Sequence, residues 1–263
     1  MDLGLNGKVV VVTGASKGIG LAVVEAFAGE GSRVVAGSRT TGDVLAGLAE
    51  RHEVLPVEVD LSTPGGPAGL VARATEEFGR VDVLVNNLGG VGLREGFLSI
   101  EDEDWRQSLE FNVMSAVRAS RAVLPGMVER GEGAIVNVSS VNAQVPLPAV
   151  ADYSAAKAAM TNITKVLAEE FGPRGVRVNA VSPGPVLTPM WTGEGAGLDS
   201  FAHVLGTDRQ GAMDAFVAQN GITLSRFAEA GEVASLVLFL ASDRAGYVTG
   251  SDYVIDGGMI KTA

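Results

Sequence analysis

Seven short runs rich in valine and isoleucine recur along the chain, separated by longer stretches of amphipathic sequence. The runs occupy residues 8–13, 33–38, 54–59, 81–86, 134–139, 176–181 and 252–257. They are continuously apolar rather than alternating, as expected for parallel strands buried on both faces, and the stretches between them are long enough for crossover helices. The sequence therefore predicts an α/β fold in which about seven strands form a doubly wound parallel sheet with helices on both faces.

The alternation of strands and helices continues without a stretch of linker composition. We therefore expect residues 1–263 to form a single domain. The one break in the rhythm is the span from Pro183 to about Arg226, which is rich in glycine and in scattered large apolar residues. A segment of this length without strong periodicity is typical of a functional lid or of a mobile loop, and we assign a substrate-binding segment to about 188–226.

Composition disfavours several classes of partner and cofactor. The formal net charge of -11 makes nucleic acid and anionic membranes poor partners, because phosphate groups are bound mainly by clustered Lys and Arg. The chain has no cysteine, and His52 and His203 are far apart, so we expect no metal site. The N-terminus does not resemble an export signal, and no apolar run reaches the ~18 residues of a membrane helix. These features together suit a cytoplasmic protein.

A glycine-rich stretch, "TGASKGIG" at 13–20, directly follows the first run and leads into a helical stretch. Its Gly-x-x-x-Gly-x-Gly spacing differs from the Gly-x-Gly-x-x-Gly fingerprint, and it lacks the Gly-Lys-Ser/Thr ending of a mononucleotide loop. A strand, a glycine turn and a helix N-terminus together form an anion site, because unpaired N–H groups and the helix dipole point at one place. We expect a dinucleotide to bind here; the alternative is a tight strand-to-helix turn without a ligand.

The stretch "YSAAK" at 153–157 places Tyr153 and Lys157 four residues apart in an alanine-rich run. Residues at this spacing lie on one face of a helix, so the phenol and the ammonium share one neighbourhood. Spacing alone also fits an ordinary solvated helix face. The choice between these interpretations depends on the other motifs.

Those motifs occur in the order found in the short-chain dehydrogenase/reductase family. They are "TGASKGIG", "VDLS" at Asp60, "NNLGG" at 86–90, Asn112, "VSSV" at 138–141, "YSAAK", "NAVSPGPVLT" at 179–188 and "VTGSDYVIDGG" at 248–258. From about Lys8 to Gly258 the chain resembles this family, and in particular its 3-oxoacyl reductase-like and carbonyl reductase members. The resemblance implies a Rossmann-type fold. Two departures are Leu88, where the family pattern has alanine, and the sequence after Thr188, which follows no family pattern.

By this resemblance the catalytic residues are Asn112, Ser140, Tyr153 and Lys157. Tyr153 donates a proton to the substrate carbonyl oxygen, Ser140 hydrogen-bonds that oxygen, and Asn112 holds a water in a relay with Lys157. A free tyrosine has a pKa of about 10, so we expect Lys157 and a positive nicotinamide ring to lower the pKa of Tyr153. Ser139 is the less favoured neighbour of Ser140.

The resemblance also implies a set of cofactor-binding residues. They are Gly14, Ser16, Lys17, Gly18, Ile19, Gly20, Arg39, Asp60, Leu61, Asn86, Tyr153, Lys157, Pro183, Gly184, Val186 and Thr188. An NAD site usually has an acidic residue at the end of the second strand, but this strand ends in Ser38 and Arg39. Arg39 and Lys17 suit a 2′-phosphate, so we expect NADP(H) to be preferred over NAD(H).

These features together predict an NADP(H)-dependent oxidoreductase that transfers a hydride between nicotinamide and a carbonyl or secondary alcohol. The alternatives are a 3-oxoacyl-[carrier protein] reductase and a non-catalytic nucleotide-sensing protein on the same fold. We expect a largely apolar ketone substrate, enclosed by the apolar side chains of the 188–226 segment. These are Met190, Trp191, Leu198, Phe201, Leu205, Met213 and Phe216. The resemblance further implies a homotetramer.

Overall fold

The computed structural model describes residues 2–195 and 197–261. Its nine strands are β1 (Val9–Thr13), β2 (Arg33–Ser38), β3 (Val54–Glu58), β4 (Val83–Asn86), β5 (Gly133–Val138), β6 (Val176–Pro183), β7 (Val186–Leu187), β8 (Ala228–Glu229) and β9 (Asp252–Ile255). Seven of them form one parallel sheet in the order β3-β2-β1-β4-β5-β6-β9, and β7 pairs with β8 separately. The predicted fold class is confirmed.

Within the described residues, ten α-helices connect and cover the strands. They are α1 (Gly18–Gly29), α2 (Gly42–Ala49), α3 (Gly66–Phe78), α4 (Asp102–Leu109), α5 (Ser115–Arg130), α6 (Ala151–Phe171), α7 (Pro189–Thr192), α8 (Gly197–Leu205), α9 (Arg209–Gln219) and α10 (Ala230–Ala241). A π-helical turn, Glu110–Met114, joins α4 to α5. Among the described residues, no helix combines the length and the apolar character that crossing a membrane requires.

Helices pack on both faces of the sheet because the strand side chains alternate between the two faces. Val10 and Val12 of β1 belong to one core cluster with residues of α1 and α10. Val11 belongs to a second cluster with residues of α3, α5 and α6. The strands are therefore buried from both sides, which explains why their sequences are continuously apolar.

The chain changes direction across the sheet between β1 and β4, which lie side by side although β2 and β3 come between them in sequence. In such sheets, ligands bind in the crevice at the carboxyl ends of the strands where the order reverses. The glycine loop follows β1, and the segment 87–96 follows β4. The topology thus brings two of the sequence motifs to one edge.

The 188–226 segment is helical, which its weak periodicity did not reveal. Helices α7, α8 and α9 have a small apolar core of their own, which includes Leu198, Ala212 and Phe227. Trp191 and Phe216 pack edge to face within it, with ring centroids 5.0 Å apart. This core stabilises the segment apart from the two clusters that flank the sheet.

Candidate active site

A cavity of about 610 Å³ lies at the carboxyl edge of the sheet, beside the switch point between β1 and β4. Most of the residues predicted from the sequence line it. They are Gly14, Ser16, Lys17, Gly18, Ile19, Gly20, Arg39, Asp60, Leu61, Tyr153, Lys157 and Thr188. The structure therefore brings together residues that are separated by up to 174 positions in sequence (from Gly14 to Thr188).

The glycine loop requires glycine for two physical reasons. Gly14 and Gly18 have φ angles of +68° and +58°, a backbone conformation that residues with a Cβ rarely adopt. No larger residue fits at Gly20, because a Cβ there would lie 2.3 Å from the carbonyl oxygen of Gly14. The first turn of α1 therefore lies directly against the loop, and residues of both line the cavity at this helix N-terminus.

Two consecutive asparagines at the end of β4 have different surroundings. Asn86 is buried and donates hydrogen bonds to Asn137 Oδ1 (2.8 Å) and Ser120 Oγ (3.1 Å). Asn87 lines the cavity, and its amide donates to the carbonyl oxygens of Thr13 (2.9 Å) and Gly14 (3.0 Å). Asn86, which was expected among the cofactor-binding residues, is therefore not among the residues that line the cavity. Asn87, which sequence reasoning missed, braces the glycine loop instead.

The far end of the cavity carries the charges expected to recognise a cofactor. Lys17 and Arg39 are exposed at its rim, and neither forms an ion pair within residues 2–195 and 197–261. Asp60 accepts hydrogen bonds from the Ser62 side chain (2.6 Å) and backbone (3.0 Å), which lower the pKa of this carboxyl. Two cations and one carboxylate are therefore available to bind hydroxyl and phosphate groups.

Helix α6 holds Tyr153 and Lys157 on one face, as their spacing predicts. The Lys157 ammonium lies 5.6 Å from the centre of the Tyr153 ring and donates a hydrogen bond to the carbonyl oxygen of Val138 (2.8 Å). Lys157 is only 3% exposed, and burial lowers its pKa to about 8. Of the two interpretations of "YSAAK", the structure thus excludes a solvated lysine.

In the chain alone, the pKa of Tyr153 lies above its ordinary value. Burial raises it, and the hydrogen bond between Tyr153 and the Ser140 hydroxyl only partly opposes this effect. The prediction that Lys157 and a positive nicotinamide ring together lower this pKa concerns the protein with bound cofactor, and it stays a prediction. A lower value requires a further positive charge beside the ring.

Ser139 and Ser140 are distinguished by their partners. The Ser139 hydroxyl hydrogen-bonds the carbonyl oxygen of Lys157 (3.1 Å) and Thr161 Oγ1 (3.0 Å), so it joins β5 to α6. The Ser140 hydroxyl accepts a hydrogen bond from the Asn142 backbone (3.2 Å) and approaches Tyr153. Ser139 lines the cavity and Ser140 does not, but the contact with Tyr153 fits the role that the family pattern implies for Ser140.

Asn112 lies in the π-helical turn and is 1% exposed. Its side chain accepts a hydrogen bond from the Gly90 N–H (3.0 Å) and donates to the carbonyl oxygens of Gly90 and Ser108 (both 3.0 Å). The amide thus holds the segment after β4 in place. A Cβ at Gly89 would lie 3.1 Å from Lys157 Nζ, so Asn112, this segment and the lysine are immediate neighbours.

The residues predicted after β6 occupy two environments. Pro183 ends β6, and a Cβ at Gly184 would lie 2.9 Å from the Asp256 backbone, so these two residues pack against the segment after β9. Val186 is buried in β7. Of the four residues predicted here, Thr188 lines the cavity, and its side chain lies against Gly18.

Most of the apolar side chains expected to enclose the substrate lie elsewhere. Trp191, Leu198, Phe201, Met213 and Phe216 pack into the core of the 188–226 segment, and Leu205 is exposed. Met190, by contrast, lines the cavity. Of the seven side chains expected to form the apolar wall, one lines this cavity, because five belong to the core of the segment and Leu205 is exposed.

Comparison with known proteins places these motifs in context. A family model described as enoyl-(acyl carrier protein) reductase matches residues 14–260. Human L-xylulose reductase is 40% identical over 259 residues, which cover 98% of this chain and 98% of that protein. The chain belongs to the short-chain dehydrogenase/reductase family. As a member, it is an oxidoreductase that acts on carbonyl or alcohol substrates.

Two further relatives bear on the choice of substrate. The 3-oxoacyl-[acyl-carrier-protein] reductase of Thermotoga maritima is 36% identical and covers 97% of this short-chain dehydrogenase/reductase, with 99% of that protein matched. The crystal structure of L-sorbose reductase from Gluconobacter frateurii, complexed with NADPH and L-sorbose, has a TM-score of 0.94 and 38% identity. The match covers 100% of both chains.

Proposed function

We propose that the protein is an NADPH-dependent reductase that converts a small polyhydroxy ketone to the corresponding secondary alcohol. The observation that carries the cofactor assignment is the pair of exposed cations, Lys17 and Arg39, at the end of the cavity where β2 ends in Ser38. An adenine ribose with a 2′-phosphate suits these cations, whereas a free 2′-hydroxyl would normally meet a carboxylate at this position.

The residues present fit a dinucleotide. A Cβ at Gly20 would fill the space between the loop and α1, and Asn87 braces the loop, whose residues line the cavity. The glycine loop would hold the pyrophosphate, and Arg39 and Lys17 would bind the 2′-phosphate. Asp60 would lie at the adenine end of the cofactor and Lys157 at the nicotinamide end. When bound, NADPH supplies the hydride and, after its transfer, a positive nicotinamide ring.

The side chains around Tyr153 supply the proton. Tyr153 transfers its phenolic proton to the carbonyl oxygen, which Ser140 holds by a hydrogen bond. Lys157 then stabilises the phenolate that remains, because its ammonium lies over the tyrosine ring inside a buried site where charges interact strongly. Asn112 keeps the segment beside Lys157 in place.

Two observations support a polyhydroxy ketone over the apolar ketone that the sequence suggested. The relatives named L-xylulose reductase and L-sorbose reductase take sugars as substrates, and they match the chain over almost its full length. In addition, the side chain next to Ser140 is polar: Asn142 Oδ1 lies 3.5 Å from Ser140 Oγ. A carboxamide there can hydrogen-bond a hydroxyl beside the carbonyl.

A substrate and cofactor panel tests this proposal. NADPH and NADH oxidation would be followed with L-sorbose, L-xylulose, dihydroxyacetone, cyclohexanone and an acetoacetylated carrier protein. We expect the highest kcat/KM for a hydroxyketone with NADPH. A higher kcat/KM for cyclohexanone would overturn the substrate class, and a higher value with NADH would overturn the cofactor assignment.

An Arg39→Ala variant isolates the 2′-phosphate. Charge-assisted hydrogen bonds contribute roughly 1.5–3 kcal/mol, so kcat/KM for NADPH should fall about 10- to 100-fold while that for NADH stays unchanged. Arg51→Ala is the matched control, since Arg51 is exposed and its guanidinium donates to the Gly47 carbonyl oxygen of its own helix turn. An equal loss with both cofactors would contradict the assignment.

The carrier-protein substrate is the alternative function that the Thermotoga relative favours. Glu129, Glu169 and Glu170 are exposed at the ends of α5 and α6, and an acidic carrier would require basic docking residues. A nucleotide-sensing protein would bind NADPH without turnover. Tyr153→Phe tests this second alternative: turnover should nearly vanish with NADPH affinity within a few-fold, whereas a sensor would show no activity to lose.

A further inference from the structure

Arg94 joins α6, which carries Tyr153 and Lys157, to α4, which leads into the π-helical turn of Asn112. Its guanidinium donates to Asp152 Oδ2 (3.0 Å) in the first turn of α6 and pairs with Asp104 Oδ1 (2.9 Å) in the first turn of α4. Its backbone N–H donates to the carbonyl oxygen of Ala149 (2.9 Å), just before α6. Tyr153 follows Asp152 directly in the chain.

The segment that carries Arg94 is fixed at both ends. Near its start, Asn112 hydrogen-bonds both backbone groups of Gly90. Four residues later, Arg94 fixes it to α4 and α6. The π-helical turn and the N-terminus of α6 are therefore attached to the same short stretch, and a shift of that stretch would displace Asn112 and Tyr153 relative to each other.

The Asp152 carboxylate depends on this arginine. Its side chain is 2% exposed, and its other oxygen, Oδ1, is buried and has no hydrogen-bond partner in the described part of the chain. Arg94 Nε is likewise buried and without a partner there. The α6 dipole favours an acidic residue in the first turn, but a buried carboxylate also needs a counterion.

We propose that Arg94 is a positioning residue for Tyr153. By pairing with Asp152, Arg94 holds the first turn of α6 in place and neutralises the buried carboxylate next to Tyr153 in the chain. The inference rests on the proposed reductase function. Without Arg94, the buried Asp152 carboxylate, which is one residue from Tyr153 in the chain, loses this counterion. The phenolate that the reaction forms is then disfavoured by a like charge, and the first turn of α6 loses its attachment to α4.

The charged and polar groups around Tyr153 come from several elements. Lys157 lies on the same helix, and Ser140 follows β5. Arg94 comes from the segment after β4, Asp104 from α4, and Asp152 from α6 itself. Arg94→Met lowers the net charge of these groups by one positive charge and keeps a long, unbranched side chain.

The test compares Arg94→Met, Arg94→Met with Asp152→Asn, and the control Arg106→Met. Arg106 is an arginine of α4 that is 68% exposed and pairs with Asp102 and Glu103 on the helix surface. Each variant would be assayed for kcat, for the Kd of NADPH by fluorescence, and for unfolding temperature. The ionisation of Tyr153 in the NADP+ complex would be followed at 295 nm, with the Tyr153→Phe form subtracted.

We expect Arg94→Met to lower kcat about tenfold or more with the Kd of NADPH within roughly threefold, since misplacing a reacting group by about 1 Å can cost a hundredfold in rate. The ionisation midpoint of Tyr153 should rise by roughly half a unit to one unit. Replacing Asp152 as well should reverse most of the change in the tyrosine midpoint, because the uncompensated charge is then gone, while the part of the kcat loss that comes from the lost attachment to α4 should remain. Arg106→Met should match the wild type.

Other outcomes would overturn the inference. One is an unchanged tyrosine midpoint in a folded Arg94→Met protein; another is a second substitution that adds to the loss instead of relieving it. If the wild type turns over none of the carbonyl substrates, the reductase proposal fails, while the tyrosine titration still decides the role of Arg94. If Arg94→Met does not fold, the double variant carries the test, and its tyrosine midpoint should then equal that of the wild type.

Discussion

Replacing Gly20 with alanine should separate the glycine loop from α1 and weaken NADPH binding. The added Cβ would lie 2.3 Å from the Gly14 carbonyl oxygen and 2.4 Å from Asn87 Nδ2, whereas real contacts of this kind are at least 3.0 Å long. The helix and the loop must therefore move apart by about 0.7 Å. Because one obstacle is backbone, no side-chain rotation can relieve the overlap.

The change in the free energy of unfolding follows from one stabilising effect and two destabilising effects. Alanine is a better helix former than glycine by about 1 kcal/mol, which alone would stabilise the variant. Overpacking of this kind costs about 1–3 kcal/mol, and the hydrogen bonds from Asn87 to the loop are worth about 1 kcal/mol each. We expect a net loss of about 1–3 kcal/mol in the free energy of unfolding and at least a tenfold weaker Kd for NADPH.

Urea unfolding followed by tryptophan fluorescence and titration with NADPH would measure both effects. Gly29→Ala is the matched control, because Gly29 lies in the same helix and a Cβ there has no neighbour within 4 Å. It should be as stable as the wild type or slightly more stable, with unchanged NADPH affinity. A Gly20→Ala protein that binds NADPH within twofold of the wild type would refute the steric reasoning.

Three further predictions follow from the site and the fold. Ser140→Ala should lower kcat by at least about tenfold, while Ser139→Ala should retain most activity; the reverse order would contradict the assignment of the hydroxyls. Between pH 8 and 10, the unfolded state binds the Lys157 proton and the folded state does not, because the folded pKa is about 8 against an ordinary 10.5. Stability from this group should therefore rise with pH, by up to about 3 kcal/mol, and a wild-type slope equal to that of Lys157→Met in urea unfolding would exclude the shift. The homotetramer, expected to pair helices at about 102–130 and 153–171, stays a prediction; light scattering that finds a monomer at micromolar concentration would contradict it.

The sheet could be predicted because buried parallel strands have a continuous apolar signal. Each of the seven runs found in the sequence lies within two residues of the observed strand ends. The small β7–β8 pair could not be found this way. Strands of two residues have no period to detect, and Val186 pairs with Ala228, which is far away in sequence.

The motifs located the site, but they did not fix the direction of each side chain. Asn86 and Asn87 are consecutive, and only the register at the end of β4 decides which one faces the glycine loop. The apolar residues of the 188–226 segment had the composition of a pocket wall, yet most of them form a core. Arg94 and Asp152 gave no signal, because an ion pair between distant residues has no local pattern.

Because of the π-helical turn at Glu110–Met114, the number of residues between α4 and α5 cannot change without disturbing the site. Such a turn contains one residue more than the α-helix it interrupts, and removing that residue would rotate the two flanking helices against each other by about 100°. Asn112 would then face away from Gly90, although every residue type at the site would be present. This protein should therefore tolerate substitutions on the exposed side of α4 far more readily than an insertion or deletion between Trp105 and Ser115.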